Sequence, residues 1–209
     1  NAVETRPKRD LLGELATAVR KEGIKFGTYY SFLEWHNPLF EKSIPDYAAK
    51  VMFPQVKELI ERYQPDLFWP DGEWEHPDTT WSSPQLLQWL YANVPNPESF
   101  LVNDRWGKGL RGRTGDFFTT EYGDGGGGGD SYSGQRAFEE CRGIGHSFAF
   151  NRAENYDVYL SRSEAVRTLI DMVSRGGNLL LDIGPAADGT IPLIMVDRLY
   201  AIGDWLKTN

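Results

Sequence analysis

The residues of this chain best suited to chemistry stand in Phe68-Trp69-Pro70-Asp71-Gly72-Glu73-Trp74-Glu75, where an apolar run ends in an aspartate flanked by two indoles. A carboxylate that closes a strand of a mainly parallel sheet lies at the end where ligands bind. Trp69 and Trp74 add flat apolar faces of the kind that sugar rings stack on. This combination suits cleavage of a glycosidic bond, with Asp71 as the nucleophile. Asp-Gly is also a common turn pair in which the aspartate merely bonds nearby amides, and the local sequence leaves both readings open.

Glycoside hydrolysis takes two carboxyl groups, one to attack or activate water and one to protonate the leaving oxygen. The second must come from another loop, and Glu73, Glu75, Asp104, Asp116, Glu121, Glu139 and Glu140 are the candidates. Glu73 and Glu75 lie so near Asp71 that they are expected to shape its loop. Glu121, in Phe117-Phe118-Thr119-Thr120-Glu121-Tyr122, has apolar neighbours that suit a proton donor; a solvated loop acid is the alternative. Arg105, in Val102-Asn103-Asp104-Arg105-Trp106, follows an apolar run as Asp71 does. Its fork of donors could pair with the nucleophile or bond sugar hydroxyls, or form a plain ion pair with Asp104. Tyr29 and Tyr30 end a strand whose side chains alternate, so one is expected to face the pocket and the other to pack behind it.

These residues need a scaffold, and the pattern supplies helix and strand in alternation. Asp10 can cap a helix running from Leu11 through Val19, with Gly23 at its stop. Ile24 to Ser31 reads as a buried strand, a helix follows from Pro54 to Tyr63, and Leu67 to Trp69 is the next strand. Pro84 can open a helix through Tyr91, after which Phe100 to Val102 forms a third apolar run. Residues 107 to 136 hold eleven glycines, five of them consecutive from Gly125 to Gly129, and read as a loop. Glu139 and Glu140 are expected to begin a helix. Ser147 to Phe150 reads as a strand, Glu164 to Val173 as an amphipathic helix, Asn178 to Ile183 as a buried strand and Val196 to Leu206 as a closing helix. Repeats of this kind predict a parallel sheet with helices outside, either doubly wound or closed into a barrel.

Composition narrows the partners. Acids outnumber bases by 30 to 22, for a formal charge of -8, which argues against a nucleic-acid surface. No run approaches the roughly 18 apolar residues of a membrane span. Cys141 is the only cysteine, so neither an internal disulfide nor a Cys-based zinc site can be built. His36, His76 and His146 have no metal-ligand spacing, although His36 and His76 could bond sugar hydroxyls. The glycine run lacks the Lys-Ser/Thr of a phosphate loop. No metal or cofactor is expected.

With these residues in place, the chain resembles the α-L-fucosidases of glycoside hydrolase family 29. The likeness rests on Gly27-Thr28-Tyr29-Tyr30-Ser31 with Glu34-Trp35, on Trp69 to Glu75, on Val102 to Gly107, and on Gly176 to Pro185 with Asp188-Gly189. The resemblance implies an α/β fold, a (β/α) barrel of TIM type, of which residues 1–209 would be the later, incomplete part. It implies a retaining hydrolysis of terminal α-L-fucose through a covalent fucosyl intermediate on Asp71, with Tyr29, Trp69 and Arg105 lining the fucose pocket and Trp74 beside them. The acid/base is Glu121 if the bacterial pattern is followed and Glu139 on a mammalian-like alignment; Glu121 is preferred for its aromatic surroundings. A fucosylated glycan, the remainder of the barrel and a second copy of the chain are the partners implied, in a lysosomal or secreted setting. A fucose-binding barrel without catalysis is the alternative. Asp182 stands where that motif usually has asparagine.

Overall fold

The computed structural model describes residue 4 and residues 7–123 and 137–209. The glycine run at 125–129 and the rest of 124–136 lie outside the described residues. The chain divides into two compact units, Asn1–Asp116 and Phe117–Asn209.

In the first unit, three parallel strands lie in the order β1 (Gly27–Ser31), β2 (Leu67–Asp71) and β3 (Leu101–Val102). β1 pairs with β2 from Gly27↔Leu67 to Ser31↔Asp71, so the tyrosines and the aspartate finish at the same edge. β3 pairs with β2 only over Leu67↔Leu101 and Phe68↔Val102. The three helices expected from caps and apolar spacing form, while the short helices Pro38–Lys42, Ile44–Tyr47 and Asp78–Trp81 were not anticipated. Asp10 Oδ1 accepts from Gly13 N at the start of Leu11–Lys21, and Gln64 ends Phe53–Tyr63 in left-handed backbone just before Pro65. Pro54 sits in the first turn of that helix, directly after the π-helical turn Ala48–Met52. A widened turn suits the position, because proline brings no N–H to the ladder and its ring crowds the preceding turn. Met52, Val56 and Ile60 pack with Leu86 and Leu90 of helix Ser83–Asn93 and with Phe68 and Val102 of the sheet, forming the core.

Three expectations for this unit change. The strand expected from Ile24 begins only at Gly27, and Ile24 itself is exposed. β1 is not buried on both faces: Gly27 and Tyr29 are exposed and only Thr28 is buried, and it pairs with β2 alone as an edge strand. β2 continues past Trp69 through Pro70 to Asp71.

The second unit holds another parallel set, β4 (Phe118–Glu121), β5 (Phe138–Gly143) and β6 (Gly177–Asp182), in that order. Helix Arg162–Ser174 starts with a capping box between Ser161 and Glu164, and helix Leu193–Leu206 ends the chain's regular structure. Here the sequence misleads at four points. Phe118–Glu121, inside the stretch 107–136 read as a loop, is strand β4, and the strand expected to be buried at Asn178 to Ile183 has no fully buried residue over Gly177–Asp182. Glu139 and Glu140 do not begin a helix; they lie in the middle strand β5, both buried. Asn178 Nδ2 donates to Glu139 Oε2 at 2.8 Å, and Thr120 and Gly123 bond Glu140. Such partners let a strand carry two adjacent acids against their local preference. The strand expected at Ser147 to Phe150 is instead a series of bends.

Close packing makes one glycine testable. A Cβ at Gly177 would come within 2.3 Å of the Phe138 ring, whose centre lies 5.7 Å from the guanidinium of Arg175, the C-cap of helix Arg162–Ser174. Gly177→Ala is expected to cost about 1–3 kcal/mol by overpacking. Urea unfolding should show a lower midpoint with an unchanged slope.

Candidate active site

Asp71 closes β2, and the backbone around it is held from both sides. Its carbonyl accepts from Phe32 N at 2.7 Å, continuing the pairing with β1. On the other side Asn103, fully buried, donates from Nδ2 to the Pro70 carbonyl at 3.0 Å and accepts at Oδ1 from Arg105 N at 3.0 Å. One side-chain amide therefore ties the end of β2 to the loop that follows β3. Gly72 turns the chain at φ 85°, and a Cβ there would approach Leu33 Cγ to 2.7 Å, so a side chain is barred on both counts.

The carboxylate is bonded by side chains distant in sequence. Arg105 Nη1 donates to Asp71 Oδ1 at 2.6 Å, and Tyr29 Oη donates to Oδ2 at 2.8 Å. This decides against a simple Asp-Gly turn, in which neighbouring amides would take those positions. It also places Arg105 Nη1 on Asp71, and Asp104 Oδ2 accepts from Gly112 N at 2.7 Å. Arg105 is 1% exposed and Asp71 17% exposed by side chain, so the pair is largely removed from solvent yet open on the aspartate side. The guanidinium lies 4.4 Å from the centre of the Trp69 ring, and Tyr29 stacks on Trp69 at 5.7 Å with 24° between planes. Burial, followed by the bond to Asp71 and its charge, pushes the Tyr29 hydroxyl well above the usual phenol range. Tyr29 is thereby kept as a donor to Asp71.

Tyr29, Trp69, Asp71 and Arg105 thus form one cluster. Trp69 is buried, and the ring offered to solvent is that of Tyr29, 60% exposed. Tyr30 points the other way, packing on Phe68 and donating to Gln55 Oε1 at 2.7 Å, as strand alternation requires. Trp74 lies on the short 3₁₀ turn Glu73–Glu75, half exposed, with Arg111 6.0 Å from its ring centre. Glu73 is buried and accepts from Arg111 Nε at 2.7 Å, which anchors the loop after Asp71, as expected for an acid so close in sequence. Its depth had no sequence signal. His76 packs edge-on against Trp81 at 5.4 Å, and His36 is exposed.

In the second unit Glu121 closes β4 beside Cys141 of β5, at the strand end corresponding to that of Asp71. The next residue, Tyr122, packs edge-on against Phe148 at 5.1 Å and has Arg142 5.3 Å from its ring centre. Glu121 is partly exposed, whereas Glu139 is buried in mid-strand against Asn178. Asp182 ends β6; desolvation holds its carboxyl above the usual carboxylate range, and its Oδ2 has no hydrogen-bond partner. Among the described residues no three His, Cys, Asp or Glu side chains gather as a metal ion would require.

A family model described as Alpha-L-fucosidase matches residues 1–209. The chain belongs to the α-L-fucosidase family. Among its relatives, Alpha-L-fucosidase of Dictyostelium discoideum is 37% identical and Tissue alpha-L-fucosidase of Homo sapiens 39% identical, each over 100% of this chain and 46% of the relative. Thermotoga maritima alpha-fucosidase, solved with fucose and with a mechanism based inhibitor, superposes with a TM-score of 0.79 in both. Those structures are 37% and 38% identical and cover 99% of this chain and 47% of theirs. This family member therefore spans about half the length of the relatives it matches. Its parallel strands and intervening helices are those of a (β/α) barrel of TIM type, present here in part.

The buried ion pair gives a stability prediction. Arg105→Met is expected to cost about 3 kcal/mol, because it leaves the Asp71 carboxylate without its cation. Arg105→Lys should recover only part, since an ammonium cannot reproduce the planar fork over Trp69. Chemical denaturation of the two variants against wild type checks both the loss and its order.

Proposed function

We propose that the protein containing this chain is a retaining α-L-fucosidase that releases terminal α-L-fucose from glycoconjugates. The observation that carries the reading is the Asp71 carboxylate at the end of β2, one oxygen on Arg105 and the other on Tyr29. Two donors on a partly exposed carboxylate fix its direction without enclosing it, which is what an attacking oxygen needs. Support for the sugar comes from the relatives' names and from the Thermotoga maritima enzyme having been solved with fucose.

In this reading Asp71 attacks the anomeric carbon of fucose while Glu121 gives its proton to the leaving glycosidic oxygen, and the carbon–oxygen bond breaks. Glu121, now a carboxylate, takes a proton from water as the water attacks the same carbon and frees Asp71. Arg105 and Tyr29 hold Asp71 in both steps. The exposed Tyr29 ring, backed by Trp69, forms an apolar wall for the sugar, and Trp74 serves the part beyond it. No cofactor enters the chemistry. A lysosomal or secreted location accords with a glycoconjugate substrate.

Asp71→Asn keeps an acceptor for Arg105, so the fold is expected to persist by circular dichroism while turnover of an aryl α-L-fucoside falls to background. Retained turnover, or fucose binding by the wild-type protein without hydrolysis, would overturn the assignment. The retaining course predicts that proton NMR of an early time point shows α-L-fucose first, with the β-anomer appearing by mutarotation. Glu121→Ala should lose about 10²- to 10⁴-fold on substrates with poor leaving groups. Azide should restore its turnover of activated aryl fucosides. If Glu139→Ala behaves this way and Glu121→Ala does not, the acid/base is Glu139.

A further inference from the structure

At the end of β4 the chain turns through two consecutive residues in left-handed backbone, Tyr122 at φ 49° and Gly123 at φ 78°. Glycine adopts this freely, but for tyrosine it costs about 1–2 kcal/mol. Something must hold the turn, and it lies one strand away. Glu140 is 3% exposed on β5, in register with Thr120. Its Oε2 accepts from the Thr120 hydroxyl and its Oε1 from Gly123 N at 2.8 Å. Thr120 immediately precedes Glu121, and Gly123 follows it by two residues.

A buried carboxylate is costly unless its oxygens are bonded, and both oxygens of Glu140 are bonded to the segment that carries Glu121. A second clamp acts on the same turn. The Tyr122 hydroxyl accepts from Gly143 N at 3.0 Å and donates to the Gly145 carbonyl at 3.3 Å. Glu121 thus projects from a turn gripped on both sides of it.

We propose that Glu140 is a positioning residue for Glu121, holding the Thr120–Gly123 turn so that the Glu121 carboxyl keeps its direction at the strand end. The inference rests on the reading of Glu121 as acid/base. It predicts a loss confined to steps that use Glu121, because a misplacement of about 1 Å can cost about 10²-fold.

The test compares two substrates in the intact protein: an alkyl or disaccharide α-L-fucoside, whose leaving group needs a proton, and an aryl α-L-fucoside with a strongly activated leaving group. Glu140→Met, which removes both acceptors, should lower kcat/KM on the first by about 10- to 100-fold. It should leave kcat/KM on the second within about two-fold, that ratio being the mark of a proton-transfer defect. Azide should raise its turnover of the activated substrate. Glu140→Gln, able to accept from Gly123 and donate to Thr120, should recover most of the loss. Thr120→Val deletes a single bond and should fall between; if Glu140→Met does not fold, this variant decides alone. Equal losses on both substrates, or none on either, would overturn the proposal. Glu121→Ala, assayed in parallel, separates the two ideas. If it shows the leaving-group dependence and the Glu140 and Thr120 variants do not, only the positioning role falls. If Glu121→Ala lacks that dependence, both fall.

Discussion

A guanidinium that is almost wholly buried must be given a fixed anion, and Arg105 has Asp71. The need for that partner constrains the whole first unit. Arg105 comes from the loop after β3, Asp71 from the end of β2 and Tyr29 from β1, so β1 and β2 must finish together and the loop after the shorter β3 must reach back to them for the carboxylate to be bonded at both oxygens. Asn103 enforces this from behind by linking the end of β2 to the Arg105 backbone. Burying an ion pair seldom stabilises a fold by itself; its usual gain is a defined geometry. Here that geometry is the direction of Asp71.

The two halves of the chain treat their acids differently. Asp71 is paired with a cation and left partly open. Glu139 and Glu140 are buried in mid-strand, against a side-chain amide in one case and against a hydroxyl and a backbone amide in the other. At Glu140 the donors are neutral: they compensate burial but supply no opposing charge, which suits a framework role.

Much of this was legible beforehand. The carboxylate at a strand end, the alternation of Tyr29 and Tyr30, the Asp10 cap and the helix limits at Gly23 and Pro65 each follow from local rules that tertiary packing had no reason to override. Arg105 was legible as a polar residue after a strand, but two partners suited it equally, and it is the fold that brings its Nη1 to Asp71. β5 was hidden because two adjacent glutamates read as a helix start; the bonds that make them tolerable come from residues 17 to 39 positions away. Glu73 was hidden for the same reason, since its depth depends on Arg111.

Pro70 sits in the middle strand of its sheet, where proline is normally excluded. Its carbonyl faces the β3 side, since Asn103 bonds it there, and along a strand a residue's N–H points the same way as its carbonyl. The missing donor is therefore on that side, and β3 leaves the ladder after Phe68↔Val102. The sheet is unzipped at this point by its own covalent chemistry. The opening through which Arg105 reaches Asp71 is thus written into the backbone, and a residue with an N–H at position 70 would invite the strands to close over it.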